Sequence, residues 1–268
     1  MIFARPTARL ANIRLHPIKS LDPVQVKDAR IGPGGGLEFD RAWALYSVDG
    51  QWVNGKRTAA VHLIRAAFAP DISSVTLSVP GDSRKIPTET FAFPGDNAAA
   101  SQWFSGFFEQ PITVRYSPEG FPDDNIANGP TIVSTATLQA VSELFDGMAV
   151  DEARRRFRTT LEIDGVPAFW EDQLFGEEER SAVRFRIGEV NFEGSNPCAR
   201  CPVPSRNPRG GEVIPGFQKR LSDFRRAKLP VWTPQSRFDH HHRLATNTRV
   251  ASTESSKILR VCDSLLML

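Results

Sequence analysis

The chain is poor in cysteine, in net charge and in long apolar runs, and each shortage excludes a class of protein. Its 268 residues include only 3 cysteines, too few for the disulfide framework of a secreted scaffold. A formal net charge of +2 gives the whole chain no cationic excess that would favour nucleic acid. No stretch approaches the roughly 18 apolar residues of a membrane span, and residues 1–20 lack the apolar core of a signal peptide. We therefore expect a cytoplasmic protein with no membrane span and no nucleic-acid partner.

Turn-forming residues, by contrast, are plentiful. The 20 prolines and 19 glycines favour β structure over a helical bundle. An alternating or β-branched pattern predicts a hairpin over 41–53, turning at Asp49-Gly50. The same kind of pattern predicts further strands at 12–18, 62–68, 74–79, 89–93 and 111–116.

The second half of the chain mixes helical patterns with strand patterns. Its pattern predicts a helix over 134–147 capped by Ser134, and a short basic helix or turn over 151–158. Strand patterns follow at 159–163 and 184–192, then loop and a short basic helix over 212–234, and a final strand pair over 256–268. The stretch 117–130 is rich in Pro, Asp and Gly and is where we expect the boundary between two lobes. We therefore expect a mainly β fold with minor α (α+β), in two β-rich lobes, 8–116 and 117–268.

Two of the thiols, Cys198 and Cys201, form a C-x-x-C pair in the stretch SNPCARCPVPSRNPRGG (195–211). A zinc site needs two further ligands, and only Cys262 and the adjacent histidines of DHHHR (239–243) are at hand. A thioredoxin-like redox pair would begin a helix, whereas this pair follows a strand pattern and precedes Pro202. Two small residues packed in a turn are the remaining simple interpretation.

The charge around this pair favours a functional role. Eight cations between Arg200 and Lys228 face only Glu212 and Asp223 as counter-charges. Such a field favours the thiolate that ligates a soft metal, and it also suits an anion such as phosphate. For 219–228 a solvated basic face is an equally good interpretation.

Two further groups of cations stand out. Lys19-Ser20 ends the first strand pattern and Arg41 opens the hairpin, an arrangement that can bind phosphate but that is also common at strand ends. The run Arg154, Arg155, Arg156 and Arg158 is the other group, and a charged surface turn is its alternative interpretation.

Taken in order, these pieces resemble the MOSC family, in particular the branch of the mitochondrial amidoxime-reducing component and its bacterial relatives. HPIKS (16–20) and DRAW (40–43) are similar to the MOSC N-terminal β-barrel domain, here 8–116. FRTTLEIDG (157–165), CARC (198–201) and LRVCDSLLML (259–268) are similar to the MOSC domain, here 117–268. The resemblance implies two β-barrel-like lobes with a molybdenum–molybdopterin cofactor held between them.

The resemblance also assigns residues. It makes Cys201 the metal ligand and places pterin and phosphate contacts on Lys19, Ser20, Arg41, Arg158 and Arg200. Thr160 stands where the closest relatives have asparagine and still offers a hydroxyl, and Ala199 stands where they have serine. A late tyrosine contact falls near Arg243.

The activity that follows is reduction of small N-hydroxylated or N-oxide molecules, with the cofactor supplying the redox chemistry. His240 and His241 are candidates for moving protons, because histidine titrates near neutral pH. The chain has no C-x₄-C-x₂-C run, so we expect a separate electron donor, a ferredoxin or a flavoprotein, docking on the basic 219–228 face. The alternatives are a cofactor carrier or sulfur-handling protein, and a binding module that has lost the cofactor.

Overall fold

The computed structural model describes residues 8–122 and 127–268. Over these residues the fold is α+β and mainly β, as predicted. The strands are β1 Arg9–Leu15, β2 Val24–Val26, β3 Asp28–Arg30, β4 Trp43–Ser47, β5 Arg65–Phe68, β6 Ser74–Ser78, β7 Glu89–Ala92, β8 Ile112–Tyr116, β9 Ile132–Ser134, β10 Leu161–Asp164, β11 Val183–Ile187, β12 Val190–Ala199, β13 Arg243–Arg249, β14 Ile258–Arg260 and β15 Leu265–Met267. The helices are α1 Asn97–Phe108, α2 Thr135–Ser142, α3 Val150–Phe157 and α4 Phe217–Ala227.

An eight-stranded sheet in the order β15-β11-β12-β13-β9-β10-β1-β2 organises the molecule. β1 pairs antiparallel with β10 on one side and with β2 on the other, while β9 and β10 run parallel. The first two strands therefore lie in the same sheet as the strands of the second half. The division at 117 stays a prediction, and residues 123–126 of the predicted boundary lie outside the described residues.

Three smaller sheets hold the rest of the first half: β4-β8, β5-β6-β7, and β3 with β14. Trp43 is fully buried where they meet and stacks on Phe93 with ring centroids 4.7 Å apart. Its indole N–H donates to Asn97 Oδ1 at 3.0 Å, which satisfies the one polar group that burial would otherwise penalise. This core fixes the start of β4, directly after Arg41.

Local patterns predicted several elements correctly. The 41–53 hairpin is confirmed by β4 and the bridge between Tyr46 and Trp52. Ser134 caps α2 by accepting from Thr137 N at 3.0 Å, but the helix ends at Ser142 rather than at 147. The basic segment 151–158 is helical as α3.

Other local expectations were wrong. The two C-terminal strands do not pair with each other, because β14 joins β3 and β15 joins β11. Cys262, between them, takes a left-handed backbone with φ 79°, and Arg260 N donates to Asp263 Oδ2 at 2.7 Å. This turn redirects the chain from one sheet to the other. No helix among the described residues is long and apolar enough to cross a membrane.

Candidate functional site

The two thiols of CARC have different surroundings. Cys198, near the end of β12, packs against a hydrophobic cluster that includes Phe157, Phe217 and Leu244. Its Sγ accepts from Arg200 Nη1 at 3.1 Å. Cys201 lies just beyond the strand and is half-buried, and over the described part of the chain its thiol makes no hydrogen bond. Both thiols are half-buried, and they differ in that Cys198 is packed and hydrogen-bonded; that Cys201 is the metal ligand stays a prediction.

Arg200 is held between two elements. Its backbone N donates to His242 O at 3.0 Å, which extends the β12–β13 ladder beyond the pair Ala199 and Arg243. Its guanidinium donates to Phe157 O at the end of α3. Arg200 therefore joins the last turn of α3 to the strands that end at the thiol.

The arginines of α3 make different contacts. Arg154 makes a bidentate pair with Glu162, with both N···O distances at 2.7 Å. Arg156 is buried and donates to the carbonyls of Pro204 and Arg206, at 3.0 and 2.6 Å, which fixes the loop after Cys201. The alternative interpretation of this run, a charged surface turn, therefore does not describe Arg156, whereas Arg154 and Arg155 stay partly exposed.

Arg158 ends α3 in a left-handed conformation, φ 51°. Its Nη1 donates to Leu21 O at 2.6 Å, which ties the second half of the chain to the segment after Lys19-Ser20. Ser20 is also left-handed, with φ 76°, and its Oγ accepts from Gly55 N at 3.3 Å. Non-glycine residues take this conformation rarely, and such strain clusters at functional sites.

Lys19 and Arg41 approach from the first half of the chain. Lys19 Nζ donates to Phe121 O at 3.1 Å and lies 3.7 Å from the Trp52 ring centroid. Arg41, with φ 55°, pairs through its guanidinium with Asp40. The Arg41 cation holds the pKa of Asp40 at about 2 even though burial opposes this.

His16, between β1 and Lys19, lies where these cations converge. It is buried, its backbone N donates to Asp40 Oδ1 at 2.8 Å, and neither ring nitrogen makes a hydrogen bond among the described residues, although Nδ1 lies 3.7 Å from Asp40 Oδ1. Burial and the positive charges of Arg158 and Arg41 together lower its pKa to about 3, against an opposing effect of Asp40. The structure therefore brings Arg158 and Arg41, which are far apart in sequence, to one neutral imidazole.

A small hollow of about 20 Å³ lies between the two halves of the chain. Its wall carries polar side chains from both halves: Ser20, Asp22, His62, Arg65, Arg155, Arg156, Arg158 and Arg206. Asp22 is the one acid in this lining and pairs with Arg65 at 3.0 Å. Burial lowers the pKa of His62, the backbone hydrogen bond with Gly55 opposes this, and the charges of Arg158, Arg206 and Arg65 each lower the pKa by a smaller amount. Arginines therefore dominate the wall and disfavour the charged form of His62. We call this feature the cationic hollow.

The late loop places its histidines apart. His240 is half-exposed, with Nε2 3.8 Å from Asp239 Oδ1. His241 lies against Phe238, and burial and then the charges of Arg226 and Arg225 lower its pKa.

The third histidine and Arg243 complete this loop. His242 Nε2 is buried without a partner over the described ranges, and its carbonyl binds Arg200, so His242 rather than His241 adjoins the CARC segment. Arg243 donates to Asp239 at 2.6 Å and to Pro197 O at 2.7 Å. The side chain of Arg243 thereby braces the end of β12.

Three buried polar atoms near these segments have no protein partner in the described part of the chain: Thr160 Oγ1, Arg200 Nε and His242 Nε2. Buried polar atoms are normally hydrogen-bonded, so such a set fits a polar ligand. No group of three His, Cys, Asp or Glu side chains in the described ranges can hold a metal ion. A metal bound here would take one thiolate from the protein and its other ligands from a chelating cofactor. The donor set fits that arrangement.

Neither His16, Asp40 nor His62 was predicted as a site residue. His16 carries one sequence signal, its place directly before Pro17 in the strand-P-I-K-S segment. Asp40 precedes the predicted Arg41, whereas His62 lies in a segment predicted as a strand and found partly as a 3₁₀ turn, Ala59–Leu63. Long-range contacts bring them to the site.

The geometry defines a class: a mainly β protein with two half-buried thiols at and just beyond the end of β12, and a hollow rich in arginine between its two halves. Family models agree with this description. The MOSC N-terminal beta barrel domain matches residues 7–111 and the MOSC domain matches residues 130–261. The chain belongs to the MOSC-domain family.

Curated relatives are similar over most of the chain. Molybdenum cofactor sulfurase of Drosophila willistoni is 24% identical over 247 residues, which cover 82% of this chain and 30% of that protein. The proteins of the same name from Drosophila persimilis and Drosophila melanogaster are also 24% identical, covering 32% and 30% of their lengths. The chain thus spans about a third of the relatives it matches.

Proposed function

We propose that this protein binds a molybdenum–molybdopterin cofactor and works in the cytoplasm as an oxidoreductase. It reduces small N-hydroxylated or N-oxide molecules with electrons from a separate donor. The observation that carries the proposal is the position of Cys201: a half-buried thiol next to the braced Arg200, in the loop whose Val203 and Arg206 line the cationic hollow. The family membership and the name of the sulfurase relatives support the same cofactor.

The residues divide the task of holding the cofactor. Cys201 Sγ is the proposed metal ligand, because a thiolate suits a metal already chelated by soft sulfur. Arg158, Arg200, Arg41 and Lys19 supply positive charge for a phosphate and pterin, and Ser20 and Thr160 supply hydroxyl groups. When bound, the cofactor supplies the two-electron redox chemistry.

The chain's own groups serve substrate and protons. In the proposed reaction R–NH–OH accepts two electrons from the donor and two protons, and it leaves as R–NH₂ and water. His240 is the proposed proton carrier, because its side chain is half-exposed and its Nε2 lies 3.8 Å from Asp239 Oδ1. His241 is the weaker candidate, since the charges of Arg225 and Arg226 disfavour its protonation. Arg243 keeps the late loop beside β12.

A second function has its own support. The named relatives are sulfurases, and Cys198 offers a further sulfur 3.1 Å from Arg200 Nη1. A carrier or sulfur-handling protein would bind the same cofactor without turning over an external substrate. The two functions share the cofactor and differ only in turnover.

Metal analysis tests the shared part. The wild type, Cys201→Ala and Cys198→Ala are purified from a host that makes molybdenum cofactor, and molybdenum and pterin are counted per chain. We expect near-stoichiometric molybdenum in the wild type and in Cys198→Ala, and loss in Cys201→Ala. A wild type without molybdenum sinks both functions, and loss in Cys198→Ala alone moves the ligand to the other thiol.

Turnover separates the two functions. Loaded wild type is given a benzamidoxime and an artificial one-electron donor, and amidine formation is followed. Steady amidine formation that disappears in Cys201→Ala supports the reductase. A loaded protein that forms no amidine or other reduced product supports the carrier.

A further inference from the structure

An open apolar groove of about 610 Å³ lies between α2, α4 and the loop before the 3₁₀ turn Trp170–Leu174. Most of its lining is apolar: Ala140, Leu144, Pro167, Ala168, Phe169 and Phe224. Among the described residues, none of its lining side chains belongs to the cationic hollow. The groove is therefore a separate feature that the proposed cofactor does not use.

α4 gives the groove a charged border. Phe217, Leu221 and Arg225 are buried at four-residue spacing, which anchors the helix. The neighbouring stripe Arg220, Phe224 and Lys228 has the same spacing, and Phe224 and Lys228 line the groove. The apolar ring of Phe224 is thus flanked along the helix by two cations.

Further side chains extend this border. The Arg220 guanidinium donates to Leu144 O and lies 4.8 Å from the Phe145 ring centroid, so it is fixed beside the groove. Lys219 and Arg226 are exposed on the next stripe of α4, where Asp223 is their counter-charge. Glu143 is the one acidic residue of the groove wall. Cations outnumber acids along this border.

The loop after α4 adds apolar surface. Val231 is 98% exposed and Trp232 38% exposed, while the Trp232 indole donates to Phe169 O at 3.1 Å. Apolar side chains exposed next to a groove and bordered by charge are typical of an interaction site. The surface formed by the groove, its cations and this loop is called the α4 surface.

The α4 surface is firmly joined to the proposed metal site. Arg225, 1% exposed, pairs with Asp172 at 2.8 Å, and its Nε donates to Arg243 O at 3.2 Å. Arg243 is the ladder partner of Ala199, two residues before Cys201. A protein docked on α4 would therefore contact a helix that Arg225 and Arg243 connect to the end of β12, two residues before Cys201.

We propose that the α4 surface is the docking site for an acidic protein that donates electrons, an inference that rests on the proposed function. An apolar centre with a cationic border is complementary to an acidic partner with an apolar contact patch. A second copy of this chain would bring the same cations together and is disfavoured. An anionic bilayer is flat and would leave the concave groove unfilled, which favours a protein.

Binding to acidic redox proteins tests this. The probes are an acidic [2Fe–2S] ferredoxin and an acidic flavodoxin, titrated separately at low and at physiological salt. The test variant carries Lys219→Glu, Arg226→Glu and Lys228→Glu. The matched control carries Lys27→Glu, Lys85→Glu and Arg186→Glu, the same charge change at exposed positions outside α4.

We expect the wild type and the control to bind at least one probe, with affinity that falls as salt rises. The test variant should bind about 10-fold more weakly or worse at low salt, because steering by the cations is lost. Ala140→Trp, which fills the groove without changing charge, should also weaken binding. Both variants should keep their melting temperature, their molybdenum and their turnover with the artificial donor.

Several outcomes overturn the inference. These are no binding of either probe, or equal affinity in the test variant and the control. Binding to vesicles of anionic phospholipid that Ala140→Trp leaves intact would assign the surface to a membrane. A dimer in sedimentation that Ala140→Trp dissociates would assign it to a second copy. A protein without molybdenum or without artificial-donor turnover contradicts the proposed function instead, while the titrations still decide the docking site.

Discussion

Two fully buried ionisable side chains, His16 and Glu171, have pKa values shifted toward the neutral form in fields of opposite sign. His16 lies among cations, and burial together with the charges of Arg158 and Arg41 lowers its pKa to about 3. Glu171, on the 3₁₀ turn Trp170–Leu174, lies beside another carboxylate, and burial together with the charge of Asp172 raises its pKa to about 7. The comparison teaches that the interior has a positive field near the proposed site and a negative one near Glu171.

One buried ion pair offsets negative charge near Glu171. Arg225 and Asp172 are almost completely buried, and Thr233 Oγ1 adds a hydrogen bond to Asp172 at 3.0 Å. The Glu171 carboxyl is less well hydrogen-bonded than that of Asp172. Its Oε2 accepts from Thr137, while its Oε1 has no hydrogen-bond partner within the described ranges. Variants that remove these groups one at a time separate the two fields.

The largest effect is expected from Asp172→Ala. It leaves the buried Arg225 guanidinium without its carboxylate, and breaking a buried pair in this way costs about 3–5 kcal/mol of unfolding free energy. Urea unfolding at pH 7 measures it. The control is Asp223→Ala, which removes an exposed partner of Lys219 and should cost under about 1 kcal/mol. Equal losses in the two variants would contradict the assignment.

Glu171→Gln should have the next largest effect, and only at high pH. A carboxyl whose folded pKa is raised holds its proton in the folded state, so the wild type loses stability as pH rises from about 4.5 to about 7. The rise in this pKa from 4.5 to about 7 corresponds to about 3 kcal/mol. The variant should therefore gain up to that amount over the wild type at pH 8 and little at pH 4.5. Parallel stability curves for the two proteins would refute this.

His16→Leu should act in the opposite sense. A histidine whose folded pKa is lowered favours folding above its ordinary pKa of 6.5, and this stability is lost as pH falls toward 3. Between pH 6.5 and pH 5 the loss from His16 is about 2 kcal/mol. In the wild type this slope offsets the slope from Glu171, so His16→Leu should expose a fall in stability with rising pH. A variant with an unchanged pH profile would show that the imidazole is not held neutral.

Thr160→Val is expected to give the smallest effect and the most specific one. It removes a buried hydroxyl that has no partner over the described chain, so cofactor-free protein should gain about 1 kcal/mol. The same change should lower molybdenum occupancy in a host that makes the cofactor, because the hydroxyl is proposed to face it. The two measurements together discriminate, since a hydroxyl with only a structural role would not change occupancy.

How much of this was predictable follows from how local each feature is. The hairpin over 41–53 and the Ser134 cap depend on residues within a few positions, and both are found. The segments around Lys19, Arg158 and Cys201 were singled out from sequence as well, and their role in holding a cofactor stays a prediction. The neutral state of His16 depends on Arg158, 142 positions away, and no local pattern contains that contact.

Two missed elements have similar explanations. β13, Arg243–Arg249, contains buried threonine and asparagine on both faces, so it lacks the alternation that marks a half-exposed strand. α1, Asn97–Phe108, is rich in aromatic residues and includes Gly106, which gives it weak helix propensity. Packing of Trp103, Phe104 and Phe107 in the core stabilises it instead.

The place of β1 has a consequence for how the chain is made. β1 can pair with β2 within a few residues, but its other edge waits for β10 until about 150 further residues have been synthesised. The eight-stranded sheet must close late, and closure carries the segment that follows β1, with Lys19 and Ser20, toward Arg158. Assembly of the proposed cofactor site and completion of the fold are therefore one event, and a nascent chain has no partly built site that could capture the cofactor early.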